Sequence, residues 1–127
     1  MRRVLTTAAT AMLLAACGGG GGGGTPSPAS CSPSGTSLQI TAANVAYDKN
    51  CLAAPAGKAF TIAFDNKDVG TLHNVHIQTS NGSTTLFKGT LVTGVKTITY
   101  HVKTLQPGTY EFHCDAHTSM TGTFIVK

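Results

Sequence analysis

The sequence predicts an all-β fold, a sandwich or a barrel, and two observations support this. First, several short stretches alternate apolar and polar side chains at the two-residue period of a half-buried strand. Second, glycine, proline and asparagine separate these stretches, as turns between strands require. Many short strands with frequent turns are typical of sandwiches and barrels. The alternating stretches lie at residues 38–40, 60–64, 98–102, 110–114 and 123–126.

Turn residues mark where the predicted strands reverse. Pro107-Gly108 comes directly before the stretch at 110–114, and Asn81-Gly82 lies between two apolar segments. Both dipeptides are strong turn signals. Residues 44–54 fit no single pattern and are interpreted as a loop or a short helical turn. No other stretch has a helical period of convincing length.

The N-terminal residues 1–16 predict an export signal. Arg2 and Arg3 give a positively charged start, residues 4–14 are mostly apolar, and small residues precede Cys17. The apolar stretch is too short to span a bilayer, which needs about 20 residues. The Leu-Ala-Ala-Cys ending resembles the bacterial lipobox, which implies that Cys17 carries a lipid. An ordinary cleaved signal with an incidental cysteine is the alternative.

Residues 17–35 are interpreted as a lipid-anchored linker, and residues 36–127 as the folded domain. The linker contains an uninterrupted run of seven glycines at 18–24, followed by a Ser- and Pro-rich segment. Such a composition offers no side chains for packing and predicts a flexible tether. Its random-coil reach to residue 30 is roughly 20 Å.

The charge of the chain gives no indication of a nucleic-acid partner. Outside the predicted export signal there are seven lysines against five acidic residues, hence a net charge of +2. The lysines form no basic run, and aromatic residues do not alternate with them. Nucleic-acid binding therefore has no support in the sequence.

The stretch from Tyr110 to Met120 carries the clearest chemical signal. Cys114, His117 and Met120 are spaced Cys-x-x-His-x-x-Met, and a thiolate, an imidazole and a thioether form a soft ligand set suited to copper. A single buried Cys or Met is more often part of a hydrophobic core, so only the three residues together predict a copper site. A tight loop before the next strand, resuming around Gly122, would bring them together.

A copper site of this kind needs a second imidazole, and strand alternation selects one. His73 shares a strand face with Val75 and Ile77, so His73 is predicted to point inward. The other three histidines lie on the opposite faces of their strands and are expected to be exposed or at an edge. They are His76, His101 and His113.

These motifs together resemble the cupredoxins, the small blue-copper proteins. The resemblance rests on His73-Asn74 opening a strand, on Tyr-x-Phe-x-Cys-x-x-His-x-x-Met at 110–120, and on the Gly-x-x-x-Val strand at 122–126. The loop spacing is closest to that of the amicyanin and pseudoazurin branches. The resemblance implies a Greek-key β-sandwich and one copper ion, cycling between Cu(I) and Cu(II). The implied ligands are His73, Cys114, His117 and Met120.

The resemblance also implies roles around the ligands. Asn74 would bond across to the loop that follows Cys114. The imidazole edge of His117 would emerge within an apolar docking patch, for which Val69, Leu72 and Ala116 are candidates. Asp115 and Lys67 are candidate charges at its rim.

The remaining cysteines predict a disulfide. If Cys17 carries lipid and Cys114 binds metal, Cys31 and Cys51 are left, and an exported protein favours pairing them. Closing a loop of this length would stabilise the domain by roughly 3 kcal/mol in the chain-entropy model.

The predicted function is to carry single electrons between redox proteins, as a monomer tethered to a bacterial membrane on its periplasmic side or at the cell surface. With all coordination positions filled by protein, no place is left for a substrate, so we expect no enzymatic activity and assign no catalytic residue. A copper-delivery protein is the main alternative, and measured copper exchange with a chelator would separate the two. A small copper oxidoreductase would need an open site or a second metal.

Overall fold

The computed structural model describes residues 27–127. The predicted export signal at 1–16, the predicted lipidation site Cys17 and most of the predicted linker lie outside the described residues. Within residues 27–127 all regular structure is β, as the sequence predicts. No helix in this part of the chain is long and apolar enough to cross a membrane.

Residues 27–127 form eleven strands of two to ten residues. They are β1 (Ser37–Ala43), β2 (Ala46–Tyr47), β3 (Cys51–Ala54), β4 (Phe60–Asn66), β5 (Leu72–His73), β6 (His76–Thr79), β7 (Thr85–Lys88), β8 (Val92–Thr93), β9 (Lys96–Val102), β10 (Gly108–Cys114) and β11 (His117–Val126).

The strands form two main sheets and one short ribbon. The first sheet has the order β2-β1-β4-β9, the second has the order β3-β11-β10-β6-β7, and β5 pairs with β8 in the ribbon. The β1–β4 and β3–β11 pairs are parallel, and the other pairs are antiparallel. All five alternating stretches of the sequence lie in strands of these sheets, so the sandwich prediction is confirmed.

The stretch at 44–54 is largely strand, and the helical-turn alternative is wrong. Tyr47 pairs with Ala42 of β1, and the four residues of β3 pair with residues 123–126 of β11. These partners are distant in sequence, and strand pairing depends on such tertiary context more than on local preference. Local periodicity therefore could not identify these two short strands.

Aromatic and aliphatic side chains fill the space between the two sheets. Phe64, Phe112 and Phe124 are completely buried. The rings of Phe60 on β4 and Phe124 on β11 stack across the sheets with centroids 5.5 Å apart. Burial of such aromatic rings is the main stabilising contribution in a domain of this size.

A disulfide between Cys31 and Cys51 joins the segment before β1 to the start of β3, with a Cα–Cα distance of 6.0 Å. It attaches the N-terminal end of the described chain to the edge of the second sheet. Cys114 is the free cysteine among residues 27–127, and it is buried.

The connection after Cys114 is shorter than the sequence suggests. The expected loop up to Gly122 is replaced by a two-residue turn at 115–116, and β11 already begins at His117. Cys114 pairs with His117 while the preceding His113 pairs with Thr121, so the register shifts at this point. The residues between His117 and Thr121 form a bulge, which redirects side chains at the end of the sheet.

Candidate metal centre

Three of the predicted ligands converge at one end of the sandwich. The Sγ atom of Cys114 lies 3.6 Å from Nδ1 of His73 and 3.8 Å from Nδ1 of His117. The two imidazole rings have centroids 4.6 Å apart and are tilted by 47°. One sulfur and two nitrogens thus face a common point.

Three different strands supply these side chains. His73 is the last residue of β5 and pairs with Val92 of the short ribbon. Cys114 ends β10, and His117 begins β11 directly after the turn. The ribbon therefore brings one ligand to the end of the second sheet, where the inner strands β10 and β11 supply the other two.

Met120 lies in the bulged part of β11, three residues after His117, and its side chain is only 2% exposed. The bulge turns the side chain of Met120 toward the interior, whereas Thr118 and Ser119 on the same segment are exposed. A buried thioether on the strand that begins with His117 is consistent with the predicted weak ligand.

The spacing of the three donors fits a single metal ion. Bond lengths of about 2.3 Å to sulfur and 2.0–2.1 Å to nitrogen, as at zinc, place sulfur and nitrogen about 3.6–3.8 Å apart for bond angles of about 110–120°. The two measured separations agree with this estimate. Cys114 and His73 are also buried, at 1% and 0% exposed, so the surrounding core restricts the movement of these two side chains.

A carboxylate that the sequence interpretation missed orients His73. Oδ2 of Asp68 lies 2.8 Å from Nε2 of His73, so Nε2–H donates to it and Nδ1 is left free to bind metal. A carboxylate bonded to the second nitrogen of a ligand histidine fixes its tautomer and its ring orientation.

Asp68 is itself held firmly. The backbone N–H groups of Asn44 and Val45 donate to its two oxygens at 2.6 and 2.9 Å. The backbone bonds from Val45 and Asn44 and the side-chain bond from His73 outweigh the effect of partial burial and lower the pKa of Asp68 below its ordinary value. In the sequence Asp68 lies between Asn66 and Gly70, residues typical of turns, and its position five residues before a candidate ligand was the one available indication of this role.

Asn74 joins the ligand strands to the turn after Cys114. The backbone N–H of Asp115 donates to Oδ1 of Asn74 at 2.9 Å, and Nδ2 of Asn74 donates to Oδ2 of Asp115 at 2.6 Å and to the carbonyl of Gly89 at 2.8 Å. Asn74 is completely buried. Its amide thus fixes the turn between two ligands against the strand of the third.

His76 is not exposed, and that expectation was wrong. It is 7% exposed, with Nδ1 2.8 Å from Oδ1 of Asp115 and Nε2 2.9 Å from Oγ1 of Thr85. It lies on β6, between β10 and β7 in the second sheet, and Asp115 folds over its outer face. The side of β6 that faces away from the core is therefore covered by the turn after Cys114.

The other two histidines differ in their surroundings. His101 is exposed, as predicted. The side chain of His113 is 18% exposed and lies against His76, with ring centroids 4.5 Å apart.

Partial burial acts to raise the pKa of Asp115, but hydrogen bonds with His76 and Asn74 outweigh it and lower that pKa to about 2.

The surface around the candidate centre is apolar. His117 is partly exposed and Ala116 is exposed. Five large apolar side chains are exposed among residues 27–127. Four of them lie in the ribbon strands β5 and β8 or close to them in sequence, and the fifth belongs to the backbone segment that donates to Asp68. We call these five residues the apolar rim: Val45, Val69, Leu72, Leu91 and Val95.

Comparison with known proteins places the chain in a family. Residues 7–126 match the family of cupredoxin-like domains. A search of curated protein sequences gives no significant match. Among solved structures, auracyanin from Roseiflexus castenholzii superposes with a TM-score of 0.64 at 23% identity, covering 72% of this chain and 97% of that one.

Two further structures are similar. Auracyanin A, a "blue" copper protein from Chloroflexus aurantiacus, has a TM-score of 0.64 at 20% identity and covers 73% of this chain and 99% of its own. A reduced Cu(I) form of an amicyanin variant has a TM-score of 0.55 at 25% identity, over 72% of this chain and 82% of its own. The family match, the sandwich and these neighbours agree, and the chain is a member of the cupredoxin family.

Proposed function

We propose that this protein binds one copper ion and carries single electrons between redox proteins. The observation that carries the proposal is the convergence of one thiolate and two imidazoles at separations that fit one ion. The proposed ligands are His73, Cys114 and His117, with Met120 as a weak fourth. The copper named for auracyanin A and for the amicyanin variant supports this choice of metal.

The chemistry follows from the donor set. A copper ion bound by thiolate, imidazole and thioether supplies a one-electron couple between Cu(I) and Cu(II). The protein contributes rigidity, since Asp68 orients His73 and Asn74 fixes the turn after Cys114. Ligands that cannot move favour rapid electron transfer, because little rearrangement accompanies the change of charge.

The burial of the proposed ligands favours electron transfer over the alternatives. Cys114, His73 and Met120 are each 2% exposed or less, which favours retention of the ion over exchange with another protein. Four protein ligands leave no position for a substrate. We therefore propose a carrier, and neither a delivery protein nor an enzyme.

Electrons would enter and leave through His117, the partly exposed ligand. The apolar rim includes Leu72, next to His73, whose ring lies against that of His117, and it offers a redox partner an apolar surface. Encounters of redox proteins bury little area and are short-lived, and a small apolar surface suits them.

The first experiment is a visible absorption spectrum of the copper-loaded protein. We expect an intense thiolate-to-copper charge-transfer band that is lost in Cys114→Ser and in His73→Ala and is retained in the control His101→Ala. A colourless wild-type Cu(II) protein would refute the assignment as a blue-copper protein.

We further propose that the domain is tethered by lipid at Cys17 to the extracytoplasmic side of a bacterial membrane. The lipobox-like sequence supports this, and the disulfide between Cys31 and Cys51 fits an oxidising compartment. Mass spectrometry of membrane-extracted protein should show a lipid thioether on Cys17. A soluble protein with an unmodified N-terminus would contradict the anchor.

A further inference from the structure

A second group of metal-binding side chains lies beside the candidate copper centre. It consists of His76, His113 and Asp115, whose donor atoms lie within 4.8 Å of one another. His113 and Asp115 immediately precede and follow Cys114, and His76 pairs with His113 across β6 and β10. The cluster shares no side chain with the proposed copper ligands.

The geometry of this cluster resembles that of the first centre. Its two imidazole rings have centroids 4.5 Å apart and are tilted by 37°, against 4.6 Å and 47° for His73 and His117. Oδ1 of Asp115 lies 2.8 Å from Nδ1 of His76 and 3.5 Å from Nε2 of His113. Two donors bound at about 2.0–2.2 Å to one ion are separated by about 3–3.5 Å, so small adjustments suffice for binding.

One of the two remaining ring nitrogens has the hydrogen-bond partner that is common for a ligand histidine. Nε2 of His76 lies 2.9 Å from the hydroxyl of Thr85, and a ligand histidine commonly donates its second N–H to such an oxygen. Nδ1 of His113 is buried and has no hydrogen-bond partner among the described residues. The nearest carboxylate, Glu111, is 3.8 Å away. Binding through Nε2 of His113 leaves this second nitrogen as it is in the structure, so the support from the ring nitrogens comes from His76.

The cluster is open to solvent on one side. The side chains of His76, His113 and Asp115 are 9%, 18% and 20% exposed, and a surface cavity of about 210 Å³ borders His113. Nζ of Lys88 lies 3.3 Å from Oδ2 of Asp115, but its side chain is 60% exposed and can turn away when a cation binds. An ion can therefore reach the donors without unfolding the sheet.

We propose that His76, His113 and Asp115 form a second metal site, for a divalent ion of the Zn²⁺ type. Two imidazoles and one carboxylate are the three-ligand set of open zinc sites, in which water takes the fourth position. The set contains no thiolate, so it differs in preference from the thiolate-containing copper centre.

Zinc titration of the copper-loaded full chain tests the proposal. We expect calorimetry to show one Zn²⁺ bound per chain while the visible band persists. His76→Gln and His113→Gln should each weaken zinc binding by at least about tenfold, since even groups behind the ligands matter by 10–100-fold. The matched control His101→Gln changes an exposed histidine on β9 and should bind zinc as the wild type does.

A crystal structure with zinc-edge anomalous scattering supplies an independent measurement. A peak between His76, His113 and Asp115 is the expected result, and it requires no variant to fold. No bound zinc, a peak elsewhere, or loss of the visible band through displacement of copper would overturn the proposal. Equal zinc affinity in the wild type and in His113→Gln would do the same.

Discussion

Replacing Asn74 by alanine should destabilise the domain strongly, because the amide makes three hydrogen bonds in a fully buried position. Neutral bonds contribute about 0.5–1.5 kcal/mol each and a bond to a charged group about 1.5–3 kcal/mol. The loss in the free energy of unfolding is therefore about 2.5–6 kcal/mol. Because Asp115 is 20% exposed, water can replace part of its bond, and the lower half of this range is expected.

The midpoint of thermal unfolding should fall by at least about 10 °C for a domain of this size. Circular dichroism of the disulfide-intact protein measures this. The exposed Asn50 offers a matched control, and Asn50→Ala should leave the midpoint nearly unchanged. Copper loss to a chelator should also accelerate in Asn74→Ala, because the turn after Cys114 is released. A loss of less than about 1 kcal/mol would show that Asn74 does not hold this turn.

Three other substitutions test the packing, the metal centre and the docking surface. Gly122→Ala should lower the free energy of unfolding by about 1–3 kcal/mol, because a Cβ there would clash with the ring of Phe112; an unchanged denaturation midpoint would contradict this. Asp68→Asn should keep the visible band but weaken copper binding, measured by chelator competition, by about 10–100-fold. An unaltered copper affinity would show that Asp68 does not support the copper site. Leu72→Glu should slow electron transfer to the natural redox partner several-fold without changing the visible spectrum. The control Thr104→Glu, beyond the far end of β9, should not slow it. Equal electron-transfer rates in the two variants would exclude the apolar rim as the docking surface.

Much of the fold could be predicted because alternation records which face of a strand is buried. The apolar positions of residues 60–64 and 110–114 predicted two central strands, one in each sheet. The spacing of Cys114, His117 and Met120 predicted a local ligand group, since a short connection keeps these residues close. Alternation with Val75 correctly selected His73 as buried, but the continuous strand that it assumed was wrong, because β5 ends at His73, β6 begins at His76, and Asn74 is as buried as its neighbours.

What could not be predicted depends on contacts between distant segments. Alternation assigns a face to His76 but does not reveal that Asp115, thirty-nine residues later, covers that face. Likewise Asp68 lies in a turn whose direction is set by its bonds to Asn44 and Val45. A polar residue in a turn signal has many possible partners, and only the folded chain selects one.

Asp115 connects the two proposed metal sites, and this gives a consequence that can be measured. Its Oδ2 accepts from Asn74, which holds the turn after Cys114, while its Oδ1 faces His76 and His113. A divalent cation bound at Oδ1 would offset the negative charge next to the copper ligand. Added positive charge disfavours Cu(II) relative to Cu(I), so zinc should raise the reduction potential of the copper centre. Voltammetry with and without Zn²⁺ measures the shift, which should be absent in His113→Gln. If the protein binds zinc but the reduction potential of the copper centre does not change, the two sites are electrostatically independent.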